Sequence, residues 1–261
     1  MTTTLPPTVE SARWVEFERD GVRLRGYLAV PKGARHAPAI VMAHENLGVT
    51  EHRQDVTRRL AAEGYVTLSV DLYSRIGGKP PQDYRTPDER RAKAFLAAAD
   101  EQSVPDLIAG RDYLCTLPEV DPARIGAIGF CLGGGPVLAW ATRADAPEAC
   151  VALYGLPILP SEYSPDGAPR SRIAIAAQVR CPFQAHFGDA DEVIPLDQVT
   201  ELKEALAHSG QPTTVTVHNG AGHAYHDDTH PHYHPQAAAD TWDAARSFFR
   251  KHLGVPAGET P

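Results

Sequence analysis

Gly129-Phe130-Cys131-Leu132-Gly133 sets a thiol between two glycines. An apolar run, Arg124-Ile125-Gly126-Ala127-Ile128, precedes it, and a small, apolar stretch from Gly134 to Thr142 follows. This reads as strand, sharp turn, helix, with Cys in the Ser position of the G-x-S-x-G nucleophile elbow. Such a corner forces its central residue into strained backbone angles, while the flanking glycines let strand and helix approach closely. A thiol there stands at a helix N-terminus, where the dipole and free N–H groups favour a thiolate and an oxyanion. The same five residues also suit a buried, inert Cys in an ordinary turn.

A nucleophilic thiol needs a base, and the base needs an orienting acid. Asn219-Gly220-Ala221-Gly222-His223 offers an imidazole beside a tight turn, in competition with His218, His226, His230, His232 and His234. Phe187-Gly188-Asp189-Ala190-Asp191 offers two acids, with the other free to cap the following helix. Asp191 is preferred because it falls just past the turn. Cys131, Asp191, His223 is then nucleophile, acid and base in the chain order of the α/β-hydrolases. The backbone N–H groups of Leu132 and Asn46 are the candidate oxyanion donors. Glu45 and Arg75 also follow apolar runs, each with a plainer reading as a capping carboxylate or a surface cation.

Two extended runs, Trp14 to Glu18 and Val22 to Val30, meet at Asp20-Gly21, a hairpin signal. Short continuous apolar runs at 39–43, 65–70, 149–154 and 182–187 read as strands covered on both faces, and 213–217 reads as a further strand. Helical stretches at 51–63, 87–99, 104–117, 135–143, 196–208 and 236–252 alternate with them. The expected architecture is α/β: a mostly parallel sheet with helices on both faces and an N-terminal antiparallel hairpin. In α/β sheets chemistry collects beyond the carboxyl ends of the strands, where Glu45, Arg75, Cys131, Asp191 and His223 all fall. The expected division is an extension over 1–12, one domain over 13–253 and a flexible tail over 254–261. The proline-rich stretch 155–180 is a candidate lid or insert, or else a passive surface loop.

The chain has 261 residues, with 25 Lys plus Arg against 33 Asp plus Glu and a net charge of −8. That balance argues against nucleic acid or an anionic membrane as partner and suits an enzyme with a small substrate. No basic segment followed by an apolar core opens the chain, and no 18-residue apolar run occurs in it. Cys115, Cys131, Cys150 and Cys181 lack a CxxC spacing, so a reduced, cytoplasmic protein is expected. No metal or cofactor is expected. The His-rich loop 218–234 lacks a second ligand cluster of recognised spacing, and metal binding there stands as an alternative function.

Taken together, the chain resembles the dienelactone hydrolase family of α/β-hydrolases over residues 15 to 250 or so. The resemblance rests on His44-Glu45-Asn46-Leu47-Gly48, Asp71-Leu72-Tyr73-Ser74-Arg75, the Gly129–Gly134 elbow, Phe187–Asp191 and Ala221-Gly222-His223. It implies Cys-His-Asp hydrolysis of an ester or enol-lactone, of the carboxymethylenebutenolidase type, in the breakdown of aromatic compounds. It also implies that the carboxylate at Glu45 contacts the resting thiol and helps switch it to thiolate when substrate arrives. Arg75 would hold an anionic substrate's carboxylate, and Tyr225 is a candidate substrate contact. The family's second carboxylate-binding Arg, four residues after the catalytic His, is Asp227 here. A different or neutral substrate, or a non-catalytic relative acting as a binding module, are the competing readings.

Overall fold

The hairpin forms where Asp20-Gly21 predicts it. In the computed structural model, which describes residues 5–254, β1 (Val9–Arg19) turns into β2 (Val22–Pro31). Asp20 and Gly21 have φ of 50° and 74°, as a two-residue turn between right-twisted strands requires. Strand β1 therefore takes up residues 9–12 of the expected extension. Residues 1–4, and the expected tail apart from Gly254, lie outside the described residues.

The chain continues through β3 (Ala37–Ala43), α1 (Glu51–Ala62), β4 (Val66–Val70), α2 (Pro87–Ala97) and α3 (Asp100–Cys115). Next come β5 (Val120–Phe130), α4 (Gly134–Ala141) and β6 (Ala149–Leu153). Thr50 and Thr86 cap α1 and α2, each accepting a backbone N–H three residues on. Helix α3 starts earlier than its apolar spacing predicts, because Asp100 and Glu101 favour a first turn there.

Segment 155–180 is structured rather than loose. It holds a two-stranded ribbon, β7 (Ile158–Leu159) with β8 (Arg170–Ser171), a 3-10 turn at Ser161–Tyr163, and α5 (Ile173–Ala176). Arg172 forks onto Asp100 at 2.7 and 3.0 Å, and Tyr163 stacks on Phe95 with centroids 4.9 Å apart. The segment is thus docked on α2 and α3. Strand β9 (Phe183–Gly188), α6 (Leu196–Ala207), β10 (Thr213–His218) and α7 (Pro235–Leu253) complete the described chain.

The strand order is β1-β2-β4-β3-β5-β6-β9-β10, with the β1–β2 and β2–β4 pairings antiparallel and the rest parallel. Every residue of β3, β4, β6 and β9 is buried, which explains the apolar or small-residue character of β3, β4 and β6; β9 alone carries large polar side chains, Gln184 and His186. One face carries α1 and α7, joined by an Arg246–Glu63 ion pair at 2.8 Å. The contiguous set α3, α4, α5 and α6 packs separately from them. Register aligns the carboxyl ends: Ala43 lies opposite Val70 and Gly129, Phe130 opposite Leu153, and Gly188 opposite His218. Everything that follows those residues is delivered to one edge.

Candidate active site

The corner after β5 is as tight as its glycines predict. A Cβ on Gly133 would lie 2.5 Å from the Ala43 carbonyl oxygen, and one on Gly129 would strike the Gly133 backbone. Cys131 has φ of +49°, a left-handed conformation that costs a non-glycine residue roughly 1 kcal/mol or more. The turn holds the sulfur at the start of a 3-10 turn, Cys131–Gly133, that runs into α4. Cys131 is 8% exposed.

His223 meets this sulfur from the loop after β10. Its Nε2 lies 3.1 Å from Cys131 Sγ, and its Nδ1 lies 2.8 Å from Asp191 Oδ2. The second Asp191 oxygen accepts the backbone N–H groups of Val193 and Ile194 at 2.8 and 3.1 Å. With both oxygens engaged, the carboxylate is fixed in place and so is the imidazole it holds. Asp189 does not cap α6. Its Oδ1 accepts the Gly220 N–H at 2.6 Å, tying the histidine loop to the end of β9. Burial opposes a charge on His223, but the adjacent Cys131 sulfur and the Asp191 carboxylate outweigh it and raise the imidazole to about 10. This environment favours a protonated imidazole.

Asn46 follows β3 next to the elbow. Its carbonyl accepts the Tyr73 hydroxyl at 3.0 Å, and no hydrogen bond of the described residues uses its N–H. His44 locks this loop to the next one. Its Nε2 accepts the Leu72 N–H at 2.9 Å, and its Nδ1 faces the Glu45 carbonyl at 2.5 Å. Burial keeps His44 neutral, pulling its pKa down against the pull of Asp71.

Three of the sequence-predicted residues have partners that the sequence does not indicate. The Glu45 carboxylate pairs with Arg53 of α1, and among the described residues no hydrogen bond joins it to the thiol. Arg75 is not an open cation at the triad. Its guanidinium is engaged by buried Asp106, at 2.8 Å, which also takes Arg19 at 2.7 Å. Tyr225, the candidate substrate contact, is enclosed. It is fully buried, with its hydroxyl 2.7 Å from Thr241 Oγ1, in a chain that continues to His218 and His186. A side chain so enclosed supports the loop from behind.

The His-rich loop divides among unrelated tasks. His218 joins that buried chain, His226 packs against Phe130 and Trp242, and His234 caps α7 through Ala237 N–H. Among the described residues, one trio of potential metal ligands lies together: His52, Asp227 and Asp228. They already bond one another, with His52 Nδ1 2.9 Å from Asp228, and Arg59 Nη2 lies 3.4 Å from the same carboxylate. Asp227 accepts the Thr229 N–H and hydroxyl at 2.9 and 2.6 Å.

Two site residues escaped the sequence reading. Tyr154, just after β6, has φ of +39° and sets its ring edge-on to His223 with centroids 5.3 Å apart. Its position beyond a strand's carboxyl end is the signal that points to it. Arg53 has no such signal, because a cation in a polar helix reads as exposed.

The dienelactone hydrolase family model matches residues 24–253. A Methylorubrum extorquens protein bearing the name carboxymethylenebutenolidase is 32% identical over 234 residues, 90% of this chain and 78% of its own length. A Bradyrhizobium protein named as a 2-oxo-3-(5-oxofuran-2-ylidene)propanoate lactonase is 29% identical, with 92% of this chain and 94% of its own length covered. A Klebsiella pneumoniae crystal structure described as a dienelactone hydrolase superposes with a TM-score of 0.82 at 27% identity, covering 93% of this chain and all of that one. No described helix is long and apolar enough to cross a membrane. With the α/β-hydrolase sheet, the elbow and a family match over most of its length, the chain belongs to the dienelactone hydrolase family, hydrolases of ester and lactone bonds.

Proposed function

We propose that the protein cleaves an ester or enol-lactone by nucleophilic catalysis through Cys131, with His223 as base and acid and Asp191 as its orienting partner. One observation carries the reading: His223 spans Cys131 Sγ and Asp191 with 3.1 and 2.8 Å contacts, the geometry proton transfer needs. The thiolate attacks the carbonyl carbon, and the oxyanion is held by the N–H groups of Leu132 and Asn46, each worth about 3–4 kcal/mol in comparable sites. His223 protonates the leaving oxygen, and a thioester forms. Water, deprotonated by His223, then releases the acid and returns the thiolate.

For the substrate, the names of the relatives favour a lactone. Asp106 on Arg75 and the acid at Asp227 favour a substrate that does not depend on two arginines for its carboxylate, so neutral lactones and short esters form the second reading. Wild type and Cys131→Ala, assayed on dienelactones, neutral lactones and aryl acetates, test both. We expect the variant to remain folded and to lose at least about 1,000-fold in rate. Undiminished hydrolysis by Cys131→Ala overturns the nucleophile assignment.

A further inference from the structure

Arg53 sits eight residues after Glu45, on α1, and is fully buried. Its Nη2 pairs with Glu45 Oε2, and its Cζ lies 3.6 Å from the centroid of Phe130, the residue directly before the nucleophile. Burial of such a charge is unfavourable even when paired, and here the pairing is incomplete. Arg53 Nε and Nη1, and Glu45 Oε1, find no hydrogen-bond partner among the described residues. An apolar pair of similar volume would avoid that cost, so stability alone does not account for the arrangement.

The Cys131 sulfur does. A carboxylate left free beside it would hold the thiol proton or, when ionised, repel the thiolate. Glu45 is near enough to matter: it stands two residues beyond Ala43, Cys131 stands two beyond Gly129, and those residues pair across β3 and β5. Arg53 neutralises that carboxylate and engages Oε2, while the sulfur's hydrogen-bond partner is His223 at 3.1 Å.

We propose that Arg53 is a positioning residue that holds Glu45 off Cys131, so that the thiolate–imidazolium pair exists before substrate arrives. The proposal rests on the triad reading above and departs from the substrate-triggered switch that family resemblance implies for Glu45. His223 after β10 bonds the sulfur, Glu45 follows β3 beside the elbow strand, the phenols of Tyr73 after β4 and Tyr154 after β6 are held protonated by burial and then by the nearby acids, and Arg53 of α1 packs on Phe130 next to the nucleophile. Behind Arg53 stand His226, kept neutral by burial and then by Arg53, and Asp227, which is occupied by Thr229 and His52. Neither draws Arg53 away from Glu45.

The test is the pH dependence of Cys131 alkylation by iodoacetamide in the full-length, substrate-free protein, read by peptide mass spectrometry. Exposed Cys115 serves as the reference thiol in the same sample. The wild-type Cys131 rate should be nearly flat from about pH 6 to 9, while Cys115 climbs about tenfold per unit below its pKa. Arg53→Gln should slow Cys131 alkylation at neutral pH by about tenfold and make its rate climb with pH up to about pH 8. The double variant Glu45→Gln, Arg53→Gln should return to within about threefold of wild type, since it removes both charges. A wild-type profile that tracks Cys115, an unaltered Arg53→Gln profile, or a double variant that stays impaired overturns the proposal. If Arg53→Gln does not fold, the wild-type profile and the double variant decide. Alkylation does not measure hydrolysis, so failure of the triad reading shows separately, as ester cleavage by Cys131→Ala.

Discussion

His223 Nε2 lies 3.1 Å from Cys131 Sγ, although 92 residues separate the two in the chain. The sheet makes the contact. Strands β5 and β10 end at the same edge, and Asp189 and Asp191 after β9 hold the histidine loop over the elbow. The imidazole arrives with one nitrogen already committed to a carboxylate, which leaves Nε2 to the sulfur.

That commitment makes Asp191→Asn informative. Asn retains an oxygen for the Val193 and Ile194 N–H groups, so the loop should keep its shape. It does not stabilise the imidazolium, and kcat should fall by about 1,000- to 10,000-fold. Steady-state kinetics on an activated ester would measure it, and a loss below about tenfold would remove Asp191 from the triad.

The pH dependence of stability follows from His223. Its folded pKa, about 10, lies above its unfolded value. A raised group of this kind stabilises the native state fully below about pH 6.5, and the contribution is lost as pH rises through about 10. Because the unfolded chain carries the matching proton on its Cys131 thiol until about pH 8.5, wild-type unfolding free energy should decline between that point and about pH 10. Cys131→Ala removes the sulfur that raises the imidazole most, so its decline should be smaller and end at lower pH. Urea titrations of both proteins would show this, and parallel curves would refute it.

Arg75→Ala should act on stability rather than on substrate choice. The substitution takes one of two arginines from Asp106, which is 1% exposed. Leaving that carboxylate with Arg19 should cost about 1–3 kcal/mol. Loss of kcat/KM should be equal for anionic and neutral substrates. A selective loss on anionic lactones would instead return Arg75 to carboxylate binding.

Gly133→Ala should be severe. Its Cβ would meet the Ala43 carbonyl oxygen at 2.5 Å, a backbone group with no room to yield. We expect destabilisation of about 3 kcal/mol or more and loss of soluble protein. Thermal unfolding of any recovered protein is the measurement, and a melting temperature within about 2 °C of wild type would contradict it.

The parts of the fold that depend on short stretches of chain were readable in advance. Asp20-Gly21 specifies its hairpin, the apolar runs mark the buried strands, and Gly129, Cys131 and Gly133 spell out the elbow because each answers a local steric demand. Element ends were less legible. Helix α3 gains its first turn from Asp100 and Glu101, and segment 155–180 is ordered by Arg172 and Tyr163 reaching α3 and α2. Those partners lie far away in sequence.

The amino-acid sequence by itself determined the fold class, the order of Cys131, Asp191 and His223, and their delivery to one end of the sheet. Local turn chemistry and hydrophobic patterning suffice for that. Only the tertiary structure decided which partner each charged or hydroxyl group takes: Arg53 for Glu45, Asp106 for Arg75, Thr241 for Tyr225 and Gly220 for Asp189. The reason is physical. A buried polar group must be satisfied by whatever the packed chain brings beside it, and that depends on how whole elements dock.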